Sequence, residues 1–186
     1  GVDSVGGAFE TAGRHKITPP DPEVPQDTEA AAFFDVDNTL IQGSSLILLA
    51  QGLFRKRFIS LSELAPALWK QIRYRVSGSE NAGDIAEGRE QALAVVKGKS
   101  VAELKEACRE IVDSRMLQKS YADTIELASM HLAAGQQVWL VTATPVQLAQ
   151  VLARRFGFTG ALGTVAEVKD GKFTGRLVGD ILHGPG

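Results

Sequence analysis

Hydrophobic positions change their spacing along the chain, and each spacing predicts a different kind of element. Residues 31–34 form a short continuous apolar run, which is typical of a strand buried on both faces. Between Gly52 and Met130, strand signals are lacking and apolar residues recur every three or four positions, which predicts helices. A second apolar run at residues 137–142 predicts another buried strand. The order of elements is that of an α/β protein with a long helical segment between its first two strands.

Three helices are predicted within and just after that segment. The first has its apolar stripe at Leu61, Leu64, Leu68, Ile72 and Val76. The second begins at the capping box that Ser100 and Glu103 form. The third begins near Tyr121 and ends at Gly135, a residue type that favours helix C-termini.

The C-terminal part combines a further helix with a hairpin. Pro145 suits the first position of a helix over residues 146–156, because a proline there loses no helical hydrogen bond. Residues 167–174 read as two short strands joined at Asp170 and Gly171, a pair that favours a tight primed turn. We therefore expect strand, helical segment, strand, helix and hairpin in that order.

These patterns divide the chain into a tail, a core and an insert. Residues 1–29 are rich in glycine and proline and are expected to be a disordered tail. Residues 30–43 and 121–186 are expected to form a Rossmann-like core with a parallel sheet. Residues 44–120 are expected to form an all-helical cap inserted after the first strand.

Composition and charge narrow the class of protein. With 186 residues, of which 44% are hydrophobic and 23% charged, the chain can build a core and is not fibrous or wholly disordered. A net charge of -2 speaks against nucleic-acid binding. The apolar stretch over residues 40–54 is too short and too often broken by polar residues to span a membrane. The single cysteine, Cys108, favours a reducing compartment, so a cytoplasmic protein is expected.

Two carboxylates stand where the first strand ends. Asp35 and Asp37 follow the apolar run directly, and ligands of open α/β sheets bind at the carboxyl ends of strands. Closely spaced like charges repel each other, and Mg²⁺, which prefers oxygen ligands, would relieve the repulsion. One carboxylate can then attack phosphorus while the other moves a proton. The structural alternative is that an Asp or Asn here caps the helix that begins after Thr39.

A hydroxyl stands at the predicted end of the second strand. Thr142, with nearby backbone N–H groups and the start of the next helix, can hold a phosphate oxygen. The alternative is an ordinary turn or capping threonine. If the two strands are neighbours, Thr142 and the aspartates lie at the same edge of the sheet.

Two segments resemble the haloacid dehalogenase superfamily of phosphohydrolases: residues 33–40 (FFDVDNTL) and 138–145 (VWLVTATP). The helical insert between them, and the hairpin after them, resemble the phosphoserine-phosphatase-like branch with a helical cap. The resemblance implies that Asp35 forms an aspartyl-phosphate, that Asp37 acts as general acid and then base, and that both hold Mg²⁺. It implies that Thr142 binds the phosphoryl group, and it places Thr39 and Ala143 among the substrate-binding residues.

Some positions depart from the pattern of that branch. Ser44 is a candidate substrate contact, and it stands where the branch carries a glutamate that holds the substrate ammonium, which argues against phosphoserine without excluding a phosphoserine-like substrate. Arg89 is a candidate for a substrate carboxylate, with an ordinary surface arginine as the alternative. The branch also has a lysine and a Gly-Asp motif after the hairpin, and Gly179-Asp180 matches that motif only superficially. We therefore expect a C-terminally truncated chain with little turnover.

The resulting hypothesis is a magnesium-dependent phosphomonoesterase that acts on a small phosphorylated metabolite. The alternatives are a non-catalytic binding or regulatory module of the same fold and a phosphotransferase. A monomer or homodimer that binds no nucleic acid is expected. A basic, aromatic stretch of the insert is a candidate for contact with a membrane surface or a partner, with a solvated face as the alternative. That stretch comprises Arg55, Lys56, Arg57, Trp69, Lys70, Arg73, Tyr74 and Arg75.

Overall fold

The computed structural model describes residue 23 and residues 27–60, 62–63 and 93–179. Most of the predicted tail, Arg89 and the aromatic part of the basic stretch lie outside the described residues, as does nearly all of the predicted helix with the Leu61 stripe. The division into tail, core and cap stays a prediction.

Three parallel strands form the central sheet. They are β1 (Ala31–Asp35), β2 (Gln137–Pro145) and β3 (Gly160–Thr164), in the spatial order β1–β2–β3. The register places Asp35 beside Val141. Because the strands are parallel, their carboxyl ends meet at the same edge, and the predicted α/β fold with a parallel sheet is confirmed.

Within the described ranges, four α-helices have both of their ends defined. They are α1 (Ser45–Arg55), α2 (Val101–Ile111), α3 (Ala122–Ala133) and α4 (Val146–Phe156). A π-helical turn over Val112–Met116 and a 3₁₀ turn over Leu117–Lys119 extend α2. No helix within the described part of the chain is long and apolar enough to cross a membrane.

The predicted helix cap, helix C-terminus and hairpin turn occur at the predicted positions. The Ser100 hydroxyl accepts a hydrogen bond from the Glu103 N–H and caps α2. Gly135 follows α3 with a φ of 78°, the left-handed conformation that ends a helix at little cost to glycine. The hairpin pairs β4 (Ala166–Lys169) with β5 (Lys172–Leu177). Its two turn residues, Asp170 and Gly171, both have positive φ, as a type I′ turn requires.

Two details of the predicted strands were wrong. β1 is not buried on both faces: Phe34 is 9% exposed, but Phe33 on the opposite face is 63% exposed. Among the described residues, α3 and α4 cover one face of the sheet, where Phe34 contacts His131 and Phe158. β2 runs past residue 142, so that Pro145 caps α4 with a ψ of 134° and is not its first helical residue.

The core lies between the sheet and the helices. Val138 and Leu140 of β2 and Leu148 and Leu152 of α4 are fully buried. α2 packs on α4 and contributes Cys108, which is also fully buried. α1 packs in turn on α2.

A close approach joins α1 to α2. A Cβ atom placed on Gly52 would lie 2.4 Å from Cγ1 of Ile111, well inside van der Waals contact. Gly52 and Ile111 are both buried. Glycine is therefore required at position 52 for the two helices to meet at this distance.

Main-chain hydrogen bonds join the two ends of the helical connection between β1 and α3. The Gln42 N–H donates to the Lys119 carbonyl at 2.8 Å, and the Tyr121 N–H donates to the Leu40 carbonyl at 2.9 Å. Ile41 and Ser120 form a bridge between these two bonds. The segments that leave and rejoin the sheet therefore lie side by side.

Candidate active site

Asp35 is the last residue of β1 and lies at the carboxyl edge of the sheet. Its side chain is exposed, and no donor among the described residues hydrogen-bonds to its carboxylate. β1 presents it beside Val141, so the next residue of β2, Thr142, lies at the same edge. An aspartate with an unengaged carboxylate at this edge is free to bind a ligand or to attack one.

A tight loop turns the chain back after Asp35. The main-chain N–H groups of Leu40 and Ile41 both donate to the Val36 carbonyl, at 3.0 and 2.9 Å. Asn38 has a φ of 56°, a conformation that asparagine tolerates better than most residues. The Asn38 side chain accepts a hydrogen bond from the Gly43 N–H at 2.9 Å. These bonds fix the residues that carry the second aspartate.

Asp37 is held by the first residue of α1. Its Oδ1 atom accepts a hydrogen bond from the Ser45 N–H at 3.0 Å and a second, short one from the Ser45 hydroxyl. Ser45 is fully buried. The N-terminus of a helix favours negative charge, so Ser45 orients the carboxylate and the helix stabilises it. No hydrogen bond from the described chain reaches Oδ2, which leaves that oxygen available for proton transfer.

Thr142 is 4% exposed and belongs to a small hydroxyl pair. Its Oγ1 atom accepts from the Thr144 N–H at 3.2 Å and lies 3.1 Å from the Thr144 Oγ1. A hydroxyl has one proton to donate and two lone pairs. The Thr144 N–H occupies one lone pair of Thr142, and either hydroxyl can be the donor between the two threonines. When the Thr144 hydroxyl donates, the Thr142 proton is available to a third oxygen.

The oxygen atoms at this edge suit a hard divalent cation. The Asp35 carboxylate, Oδ2 of Asp37 and the main-chain carbonyl of Asp37 accept no hydrogen bond from the described residues. No cluster of three or more His, Cys, Asp or Glu side chains occurs in the ranges that the structure describes. Mg²⁺ is commonly held by one or two carboxylates, with waters and substrate phosphate as the other ligands. The oxygen atoms of Asp35 and Asp37 are therefore suitable ligands for Mg²⁺.

The remaining predicted site residues are placed as follows. Thr39 is half-buried in the loop, and Ala143 is exposed on β2 beyond Thr142. Ser44 caps α1, with its hydroxyl accepting from the Ile47 N–H at 3.5 Å. The helix after Thr39 is therefore capped by a serine and not by an aspartate or asparagine. Arg89 lies outside the described residues, and contact of these side chains with substrate stays a prediction.

Two residues of the site were missed by sequence reasoning. Ser45 was not predicted, although it and not Ser44 contacts Asp37. Thr144 was not singled out, although it bonds to Thr142. A usable signal for Ser45 is its place immediately after a capping serine, where the N–H of a first-turn residue has no helical partner.

The chain is similar to known phosphohydrolases in sequence. Residues 32–186 match the family described as haloacid dehalogenase-like hydrolase. The chain is 53% identical over 166 residues to phosphoserine phosphatase SerB1 of Mycobacterium tuberculosis, covering 89% of this chain and 54% of that protein. It is 49% identical over 165 residues to a putative hydrolase of Mycobacterium leprae, covering 89% and 55%. The chain thus spans about half the length of the curated relatives it matches.

Solved structures agree on the fold. A protein of unknown function from Bordetella pertussis aligns with a TM-score of 0.68 and 27% identity, over 82% of this chain and 67% of that one. A phosphoserine phosphatase with an analogue of its phospho-aspartyl intermediate aligns with a TM-score of 0.51 and 18% identity, over 84% of this chain and 66% of that one. At that identity the second likeness supports the fold alone.

Proposed function

The chain belongs to the haloacid dehalogenase-like hydrolase family, and on this basis we propose that it carries the nucleophile of a magnesium-dependent phosphomonoesterase. The observation that supports this most directly is the pair of aspartates after β1. Asp35 has an unengaged carboxylate, and Asp37, two residues later, has one oxygen fixed by Ser45 and one free. The two carboxylates therefore suit different roles.

In the proposed first step, the Asp35 carboxylate attacks the phosphorus atom of the substrate. The bond from phosphorus to the leaving oxygen breaks as the aspartyl-phosphate forms. Asp37 supplies the proton that the leaving oxygen takes up, so that the product leaves as an alcohol. In the second step Asp37 takes a proton from water, which attacks the phosphorus and releases phosphate and free Asp35.

Thr142 is proposed to hold the group that is transferred. Its hydroxyl proton is available when the Thr144 hydroxyl is the donor in their pair, and the bond that Thr142 accepts from the Thr144 N–H restricts its direction. α4 begins four residues later, at Val146, and its first turn presents main-chain N–H groups that have no helical partner. Both features stabilise negative charge on phosphoryl oxygens, which is where charge accumulates in phosphoryl transfer.

Magnesium is proposed to be held by Asp35 and Asp37. When bound, Mg²⁺ supplies positive charge that reduces the repulsion between the attacking carboxylate and the phosphate. The residues of the chain would still perform the attack, the proton transfers and the orientation of the phosphoryl group.

The substrate is proposed to be a small phosphorylated metabolite. The name of the 53% identical relative makes phosphoserine the first compound to test. Ser44 offers a neutral hydroxyl and not a carboxylate at the start of α1, which provides no charge partner for an amino group. The ratio of kcat/KM for phosphoserine to that for a phosphomonoester without the amino group measures how far the missing charge partner disfavours phosphoserine.

The nucleophile is tested by a method that does not depend on turnover. Beryllium trifluoride with Mg²⁺ mimics a phosphoryl group on an aspartate and gives a distinct ¹⁹F resonance when bound. We expect the resonance with the unchanged protein and none with Asp35→Asn, while Asp123→Asn on α3 keeps it. Hydrolysis of an aryl phosphate, where it is measurable, should fall by about 10³-fold or more in Asp35→Asn.

The same measurements separate the alternatives. A bound resonance in Asp35→Asn would show that the nucleophile is misassigned. Absence of both resonance and hydrolysis in the unchanged protein would favour a non-catalytic module. Transfer to an added alcohol in preference to water would identify a phosphotransferase.

A further inference from the structure

A groove of about 730 Å³ with both polar and apolar lining lies between α1 and the turns that follow α2. Asp35, Asp37 and Thr142 are not among the described residues that line it, so it is separate from the candidate active site. Its lining residues are Leu48, Gln51, Gly52, Arg55, Lys56, Ile111, Ser114, Arg115, Gln118 and Lys119. The volume is within the range of sites that hold metabolite-sized ligands.

Four of these lining residues are cationic and none is acidic. Arg55 and Lys56 come from the end of α1, and Arg115 and Lys119 come from consecutive turns after α2. The whole chain has a net charge of -2, so this concentration of positive charge is local. Bringing like charges together costs free energy, and a bound anion removes that cost.

Within the described ranges, most of this charge has no acidic partner. Lys56 pairs with Glu110. The other nearby acid, Asp113, is engaged by Arg155 of α4 through two hydrogen bonds of 2.6 Å. In the described chain, Arg55, Arg115 and Lys119 have no carboxylate within ion-pair distance, although all three face one groove.

The groove combines this charge with amide donors and apolar side chains. Gln51 and Gln118 line it with side-chain amides, and Leu48 and Ile111 add apolar lining. The missing side chain at Gly52, another lining residue, lets α1 approach Ile111 closely. An organic ligand that carries anionic groups would use both the charged and the apolar lining.

From these observations we infer a second anion site in this groove, which binds a soluble, metabolite-sized phosphate compound with two or more negative charges. Arg115 and Lys119 are the central contacts, because no carboxylate of the described residues pairs with them and they lie within about one helical turn of each other. Arg55 extends the site along α1. The site is independent of the proposed hydrolysis and needs no metal.

The test uses inorganic tripolyphosphate as the probe, titrated by calorimetry into the protein in buffer with EDTA. Saturable binding that weakens as salt is added is expected, because charge dominates the interaction. The double variant Arg115→Gln/Lys119→Gln should bind about tenfold more weakly or worse, since two charged contacts are lost. Asp35→Asn should bind as the unchanged protein does, which separates this site from the proposed catalytic one.

The matched control is Lys105→Gln/Arg154→Gln, which removes the same charge from exposed positions outside the groove. It should change the affinity by less than about twofold, and circular dichroism should show that both double variants are folded. Equal weakening in the two double variants would overturn the site, because net charge would then explain binding. Absence of saturable binding would also overturn it, as would binding to vesicles with anionic lipid but not to tripolyphosphate.

Discussion

Ser45 donates both its main-chain N–H and its hydroxyl to the same oxygen of Asp37, and it does so from a fully buried position. The two residues are eight positions apart, with a tight loop between them. Because Ser45 begins α1, the positive end of the helix also faces this carboxylate. The orientation of Asp37 is therefore set by a residue that does no chemistry itself.

Replacing Ser45 with alanine should slow the reaction without weakening substrate binding. The change removes one charge-assisted hydrogen bond and leaves the N–H contact, so we expect kcat to fall about tenfold with KM nearly unchanged. Steady-state kinetics with an aryl phosphate measure both quantities. Ser129→Ala, which removes an exposed hydroxyl from α3, should leave kcat as it is. An unchanged kcat in Ser45→Ala would show that Asp37 needs no such support.

Replacing Thr142 with valine should impair binding of the phosphoryl group, because the shape is kept while the donor is lost. We expect kcat/KM to fall about 10- to 100-fold, with part of the cost coming from the Thr144 N–H that loses its acceptor. Thr142→Ser retains the hydroxyl and should recover most of the activity. Similar losses in the valine and serine variants would indicate that packing, and not the hydroxyl, matters at this position.

The contact between Gly52 and Ile111 predicts a strong coupling in stability. Gly52→Ala places a methyl group 2.4 Å from Ile111 Cγ1, and we expect a loss of about 1–3 kcal/mol. Ile111→Ala alone should cost about 2–5 kcal/mol by opening a cavity. In the double variant the new methyl group occupies part of that cavity, so the two losses should not add. Denaturant unfolding of the four proteins measures this, and simple additivity would contradict the contact.

Burial raises the pKa of the Cys108 thiol to about 12, from an ordinary value of 9.0. At pH 8 the folded protein should therefore not react with a thiol reagent such as DTNB, and one thiol per chain should react once guanidinium unfolds it. The unfolded chain loses the thiol proton near pH 9 while the folded chain keeps it, so stability should fall as the pH rises above about 9.

This pH effect can be assigned to the thiol by comparing unfolding midpoints at pH 8 and pH 10.5. The decrease between the two values should be smaller in Cys108→Ala, which has no group to titrate. Rapid reaction of the folded protein with DTNB at pH 8 would contradict the buried placement of Cys108 on α2.

Much of the fold could be predicted because its signals are local. The Ser100 cap, the glycine after α3 and the Asp170–Gly171 turn each depend on a few adjacent residues, and each occurs where the sequence places it. The two aspartates could be predicted as a pair for the same reason. An apolar strand followed by closely spaced carboxylates is a pattern contained in a few adjacent residues.

What could not be predicted depends on contacts between distant segments. The exposure of Phe33 depends on which helices cover the sheet, and periodicity within β1 does not carry that information. The choice of Ser45 over Ser44 as the partner of Asp37 depends on how α1 meets the loop. The groove beside α1 is likewise formed by two segments more than fifty positions apart. Neither segment alone indicates that their cationic residues line the same groove.

The hydrogen bonds at the base of the helical connection make its two ends neighbours. Since Gln42 contacts Lys119 and Leu40 contacts Tyr121, the chain leaves β1 and returns toward β2 at nearly the same place. A shorter connection could therefore join these two points, but it would remove α2 and uncover the part of α4 on which α2 packs. It would also take Ser45 away from Asp37, so it would have to supply a new hydrogen-bond donor to that carboxylate.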